Sequence, residues 1–582
     1  MKNAARIPTV VALGLLMLAG PQVSVAKGPS KDPSKDPTAI GRGGGAATVD
    51  VAGTRAAIRA LRHGGNAVDA AVAAAAVLGV TEPYSCGIGG GGFMVIRTPD
   101  GKVTTIDSRE ESPAAMRPDS FFVDGEPPDP VDDFDSARYS GLSAGVPGTV
   151  AGWDRALRRY GSWSLERALR SGVRVARHGF EVDDTFVSQT EPNVEWFDDI
   201  PSTAAIYLDP DGTPRDVGST LRNRDLARTY KLIGERGARG FYRGEVAAAM
   251  VEAARRPPVA PDADHEWRPG LLTEADVKSY EALKRDPTRI GYRGLDVWGM
   301  GPPSSGGSTV GEALNILEGY DLNAGDRTRA LHLFLEASRL SYADRSAYIA
   351  DPEFFDVPLE GLLSDGYAAE RRALIDPATA GTSPAPPGNP RPYSSTTHLV
   401  VSDRAGTVVS YTFTIESTGG NGIVVPGYGF LLNNELTDFN FDSTTHPNRA
   451  DARKRPRSSM APTIITKDGD PYLAVGSPGG STIITTVLQV LLERLDLGSS
   501  LPEAIAAPRA SQRNREVTEA EQAFIDSPEG QELASSYGHE FEVPESEVLG
   551  AVTGLDFLRR GRILAAAEPE RRGGGSAAVV RP

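Results

Sequence analysis

The sequence predicts a mixed α/β fold of the α+β kind, and three stretches lead to that reading. Ala67 to Leu78 is a run of Ala and Val, the pattern of a helix buried on most sides. Thr397 to Ser402 and Thr407 to Ile415 alternate in polarity and are split by Asp403-Arg404-Ala405-Gly406, the pattern of a β-hairpin. Tyr472 to Val475 reads as a strand that opens through Gly476-Ser477-Pro478-Gly479-Gly480 into a helix, Ser481 to Leu495. That helix carries Ile484, Val487, Leu488, Leu491 and Leu495 on one stripe. At 40% hydrophobic and 24% charged, a 582-residue chain has an ordinary globular composition and the length for a large core.

The ends and the charge narrow the classes. Lys2 and Arg6 precede an apolar run, Val10 to Leu18, too short to span a membrane, and Ser24-Val25-Ala26 offers small residues for cleavage. Residues 1–26 are therefore expected to be a signal peptide, the protein to be secreted or periplasmic, and no stable membrane span is expected. Residues 27–43 begin with KGPSKDPSKDP and read as a disordered tether. A net charge of -16 without a basic run excludes a nucleic-acid partner. The single cysteine, Cys86, allows no intrachain disulfide, and no pair of the seven histidines has metal-ligand spacing, so no metal and no cofactor is expected.

Taken in order, Arg55 to Arg62 reads as a helix stopped by His63-Gly64-Gly65, and Asn66 caps the next. The Gly-rich loop at 86–93 leads into a strand, Met94 to Arg97. A phosphate cradle needs a helix there, so the loop is read as a close approach of backbones. Val103 to Ile106 is a strand ending in Asp107-Ser108-Arg109-Glu110. Arg109 can fork onto a carboxylate, although its position alone favours a surface ion pair with Glu110 or Glu111. Val146 to Val182 is mostly helical. Thr273 caps a helix with Asp276 three residues on. Pro302 to Gly307 is a rigid turn before a helix, Thr309 to Leu317, and Leu331 to Ile349 is a long amphipathic helix. Thr379 to Tyr393 is an exposed Pro- and Gly-rich loop running into Ser395-Thr396, and Gly429 to Asn433 reads as a further strand.

The chemistry centres on Thr396. A threonine hydroxyl needs a base, and a free α-amino group, with a pKa of about 7.7–8.0, suits that task. Such a group exists only if the chain is cut before Thr396, so self-cleavage between Ser395 and Thr396 is expected. His398 shares the strand face of Thr396 and is read as a structural neighbour. The amides of the Gly479-Gly480 elbow can bind an oxyanion, as readily as they can form a plain turn. Glu416, Glu435 and Asp438 can attract an ammonium group and, with Arg109, form a zwitterion clamp. From the residues alone, solvated loop acids are the favoured reading.

The motifs GGNAVDAA at 64–71, GIGGGGF at 87–93, DSRE at 107–110, VPGTVAG at 146–152, PPSSGG at 302–307, TTH at 396–398, NNELTDF at 433–439, RPRSSMAPT at 455–463 and GSPGGS at 476–481 change the balance. From about Gly44 to its end the chain closely resembles the γ-glutamyltranspeptidase (glutathione hydrolase) family of N-terminal nucleophile hydrolases. The resemblance implies a four-layer αββα sandwich. It also implies a large chain, 44–395 after the tether, and a small chain, 396–582, that stay associated after cleavage.

In its terms Thr396 is the nucleophile and Thr414 hydrogen-bonds it. Arg109, with Ser458 and Ser459, holds the glutamyl α-carboxylate. Glu416, Glu435 and Asp438 receive the α-amino group, and Gly479 and Gly480 form the oxyanion hole. The implied reaction cleaves γ-glutamyl amides such as glutathione and passes the glutamyl group to water or to an amino acid or peptide amine. Alternatives are a glutaryl-type (cephalosporin) acylase on the same fold and an uncleaved, non-catalytic binding protein.

Three departures stand out. Arg457 replaces a common Leu and places a cation beside the pocket. Residues 416 and 435 are both Glu where many members carry amides. The segment from Asp438 to Arg455 is short, which resembles the bacterial lidless type and an opening wide enough for polymers of γ-linked glutamate.

Overall fold

The computed structural model describes residues 35–385, 396–546 and 548–581. The expected signal peptide, the first part of the tether and Ser395 lie outside the described residues.

Strand β1 (Thr38–Thr48) is followed by helices α1 (Val51–Arg62) and α2 (Ala67–Thr81). Strands β2 (Gly91–Arg97) and β3 (Val103–Ser108) precede α3 (Thr149–Tyr160) and α4 (Leu165–His178). Strands β4 (Thr288–Tyr292) and β5 (Leu295–Gly299) precede α5 (Gly306–Glu318) and α6 (Arg327–Tyr348). The hairpin β6 (Thr397–Asp403) and β7 (Val408–Thr414) comes next, then β8 (Thr463–Lys467), β9 (Asp470–Gly476) and α7 (Ile483–Leu495). Strands β10 (Thr553–Leu558), β11 (Arg562–Ala567) and β12 (Ser576–Arg581) complete the frame.

Two antiparallel sheets share β1. Its second half, Gly44 to Thr48, pairs with β6 and β12, and that sheet continues through β7, β2 and β3. Its first half, Thr38 to Gly41, pairs with β11, and the second sheet continues through β10, β9, β8, β5 and β4. Residues 38–43, expected in the disordered tether, are therefore strand. Gly43 and Gly44 have φ of 82° and 116°, where the register shifts between Arg42 and Gly45 and the strand passes from one sheet to the other. A Cβ on Gly41 would lie 2.2 Å from the Arg581 carbonyl oxygen. Glycines needed for this close crossing gave the segment the composition of a linker.

Alternate residues of the hairpin serve two cores. Leu399, Val401, Val409 and Tyr411 pack among α1–α4, whereas Val400 and Val408 pack toward β8 and β9 and the helices α5–α7. Burial on both faces explains why the alternation is broken by the adjacent apolar residues Leu399-Val400-Val401 and Val408-Val409. The order of layers is helices, sheet, sheet, helices, which is the αββα sandwich.

Local signals mostly behave as read. Asn66 and Asp69 form a reciprocal capping box on α2, as do Thr273 and Asp276 on the helix Glu274–Ser279. The expected strand at Gly429 to Asn433 is absent, and only an isolated Val424–Leu431 bridge forms. Gly427 and Gly429 take φ of 77° and 71°, turning the chain out of an extended path. The helix expected from Ser481 begins as a 3-10 turn, Gly480–Thr482, and becomes α-helical at Ile483.

Asp69 does more than cap. Buried, it accepts from the amides of Asn66 (2.9 Å), Ser162 (2.8 Å) and Trp163 (2.9 Å), tying the start of α2 to the turn between α3 and α4. Asp69→Ala strands those donors, and a loss of about 3 kcal/mol is expected in chemical denaturation, read as a lower midpoint.

Candidate active site

The hairpin places Thr396, the expected nucleophile. Thr397 pairs with Phe413, so Thr396, one residue earlier, stands opposite Thr414, and their hydroxyl oxygens are 3.5 Å apart. Thr414 Oγ1 accepts from the Glu416 amide at 2.8 Å, and on its other side Thr414 pairs with Gly91 of β2. Thr396 is buried. Its carbonyl oxygen accepts from Arg572 at 2.9 Å, and the same guanidinium donates to Ser85 Oγ at 2.7 Å. Glu82 lies 4.0 Å from Arg572, and burial pushes its carboxyl up to about 7 against the pull of that cation. Arg572 was not singled out from sequence. It sits in an Arg-Arg-Gly turn with φ of 55°, and nothing in that composition signals the nucleophile nearly two hundred residues away.

His398 points away from the chemistry. Its Nδ1 meets Thr412 Oγ1 at 2.8 Å and its Nε2 meets Ser410 Oγ at 3.4 Å. Complete burial pushes its pKa down to about 3, so it stays neutral and acts as a packing group.

Gly479 and Gly480 have φ of 130° and 58°, in the region that only glycine enters freely. Among the described residues neither amide donates a hydrogen bond. Gly479 borders a cleft of 1070 Å³ that is also lined by Ser417, Thr418, Ser481 and Arg572, so the elbow and the arginine that holds Thr396 meet at one opening.

Arg109 is buried, which overturns the surface ion pair favoured by position alone. Its fork pairs with Glu435 through one terminal nitrogen and with Asp438 through the other. It also donates to the carbonyls of Pro456 (3.1 Å) and Arg457 (2.9 Å). Glu416 and Glu435 are buried too, so they are no solvated loop acids. Glu416 accepts from Ser417 Oγ and Asn434 Nδ2, yet burial, helped by the charge of Asp438, pushes its pKa up to about 8. Glu110, 3.9 Å from Arg109, has no hydrogen-bond partner for either carboxyl oxygen among the described residues. Burial, opposed by Arg109, pushes it up to about 8 as well. Three carboxyls, Glu110, Glu435 and Asp438, thus stand beside the Arg109 guanidinium, and burial pushes Glu110 and the neighbouring Glu416 upward.

The two serines sit on the segment that Arg109 grips. Ser458 Oγ accepts from the Met460 amide at 3.2 Å, and Ser459 Oγ accepts from Arg345 of α6 at 2.6 Å. Arg345, also unmarked in the sequence reading, reaches Ser305 Oγ at 2.8 Å. Arg457, expected beside the pocket, turns instead to the carbonyls of Arg345 (3.4 Å) and Ser346 (3.2 Å), where the negative end of α6 receives it. The structure therefore brings Thr396 to Thr414, and Arg109 to Glu435, Asp438 and the Ser458-Ser459 segment. Ser395 lies outside the described residues.

Residues 53–579 match the family model described as gamma-glutamyltranspeptidase. The chain is 36% identical to the glutathione hydrolase proenzyme of Escherichia coli, over 95% of this chain and 94% of that one. It is 38% identical to the Bacillus subtilis glutathione hydrolase proenzyme, over 88% of each. Among solved structures, a cephalosporin acylase from Bacillus halodurans superposes with a TM-score of 0.82 at 28% identity, covering 96% of this chain and 99% of that one.

Glu416 supplies a pH test. A carboxyl that titrates near 8 when folded and near 4.3 when unfolded holds its proton more tightly in the fold. Its contribution to stability therefore falls as pH rises from about 4.3 to about 8. Glu416→Gln removes that component, and its denaturation midpoint is expected to decline less than wild type across this window.

Proposed function

The chain belongs to the gamma-glutamyltranspeptidase family, and from that premise we propose that it cuts itself between Ser395 and Thr396 and then uses Thr396 to move γ-glutamyl groups. Maturation is an acyl shift. Thr396 Oγ1 attacks the Ser395 carbonyl carbon, the peptide nitrogen leaves as the new α-amino group, and water hydrolyses the resulting ester. The large chain, 27–395, and the small chain, 396–582, stay together because β1 of one is hydrogen-bonded to β6, β11 and β12 of the other.

In turnover the free α-amino group takes the Oγ1 proton while Oγ1 attacks the γ-carbonyl carbon of a glutathione-type amide. Thr414, 3.5 Å away, orients the hydroxyl. The Gly479 and Gly480 amides receive the tetrahedral oxyanion, a contact whose loss typically costs about 3–4 kcal/mol. The amine departs with a proton, leaving a glutamyl ester on Thr396. Water, or an amino acid or peptide amine, then accepts the glutamyl group.

The observation that carries this reading is the pairing of Arg109 with Glu435 and Asp438. A glutamyl group presents an α-carboxylate and an α-ammonium side by side. Inserted between the paired groups, it gives the guanidinium a new carboxylate and the acids a new cation, so no buried charge is left alone. A glutaryl substrate, suggested by the likeness to a cephalosporin acylase, would engage Arg109 and leave Glu435 and Asp438 without a cation. We infer export to the periplasm or medium from residues 1–26. Among the described residues no helix is long and apolar enough to cross a membrane.

Purified wild-type protein is expected to run as two bands on a denaturing gel and to release the chromophore from a γ-glutamyl anilide. A glutaryl anilide is expected to compete poorly. Thr396→Ala is expected to run as one uncut, inactive chain. Cleavage in that variant would refute the self-cutting step, and a single inactive wild-type band would favour a binding protein.

A further inference from the structure

The structure assigns a second site, for a small multivalent phosphate, on the outer helical layer. A cavity of 510 Å³ there is lined by Arg155, Arg158 and Arg159 of α3 and by Arg239, Arg243 and Lys278, against only Asp154 and Glu281. This concentration of cations stands on a chain whose net charge is -16. Arg158 is matched by Asp154 at 3.4 Å, and Arg155 donates to the Ala282 carbonyl at 3.0 Å. Arg159, Arg239, Arg243 and Lys278 have no ion-pair partner among the described residues.

The floor supplies no competing acceptor. Tyr242 and Tyr280 stack there with ring centroids 5.8 Å apart and planes 10° from parallel. Both hydroxyls donate inward, Tyr242 to the Pro147 carbonyl at 2.8 Å and Tyr280 to the Arg109 carbonyl at 2.7 Å. A cavity whose free groups are nearly all donors and cations takes an oxyanion and rejects a metal ion or an amine. Arginine predominates, and its planar fork meets two oxygens of one phosphate, which a compact ammonium does not. The volume suits a small molecule, so a diphosphate or a phosphomonoester fits the charge and the space. The glutamyl chemistry uses none of these cations, and Tyr280 of the floor bonds only the backbone carbonyl of Arg109.

The test is calorimetric titration of the mature two-chain protein with inorganic pyrophosphate at fixed ionic strength. Citrate serves as a polycarboxylate control. Saturable one-to-one binding is expected, with citrate weaker. The triple variant Arg159→Gln, Arg239→Gln, Arg243→Gln should bind pyrophosphate at least about tenfold more weakly, because it lacks the unpaired forks. Its γ-glutamyl anilide hydrolysis and its thermal melt followed by circular dichroism should match wild type, and the melt verifies by itself that it is folded. Absence of saturable binding, equal binding by the active variant, or citrate binding as tightly as pyrophosphate would each overturn the assignment.

Discussion

The antiparallel register of β6 with β7 is the constraint on which the site depends. Pairing Thr397 with Phe413 leaves Thr396 opposite Thr414 at the open end of the hairpin, and a shift of one residue would send every side chain to the other face. That shift is resisted from both sides. Leu399 and Val401 are committed to one core and Val400 to the other, while β1 and β2 flank the hairpin. Thr396, the proposed nucleophile, is thus placed by the two cores and needs no active-site loop to hold it. Arg572 adds a fixed donor on its carbonyl.

Charge is the second organising constraint. One buried guanidinium cannot neutralise the three carboxyls beside it, Glu110, Glu435 and Asp438, and burial eases the excess by pushing Glu110 up to about 8, as it does Glu416 next to Asp438. Glu435 and Asp438 remain to pair with Arg109. The pocket is consequently matched to a ligand that brings one positive and one negative group together. On the proposed reading, charge count and burial separate a γ-glutamyl substrate from a glutaryl one of similar shape.

Much of the frame was legible because it is locally encoded. The Ala-rich α2, its Asn66–Asp69 cap, the Thr273–Asp276 cap and the hairpin each carry their pattern within one short continuous stretch. What escaped was set by distant partners. Residues 38–43 look like linker because glycine is needed where β1 changes sheets, and Gly429 to Asn433 looks like strand although glycines turn it aside. Arg109 and its acids were read from position as surface groups, since nothing local shows that Arg109 meets residues more than three hundred positions away. The family motifs supplied that link. Arg572 and Arg345 lay outside them and became visible only through their contacts with Thr396 and Ser459.

The central claim is that Thr396 carries the glutamyl group. Mixing the mature protein with a γ-glutamyl amide, quenching in acid during turnover and sequencing the small chain by tandem mass spectrometry tests it directly. The account predicts a glutamyl adduct on the N-terminal residue of that chain, and that this residue is Thr396. An adduct on any other side chain, or a small chain beginning elsewhere, would contradict it.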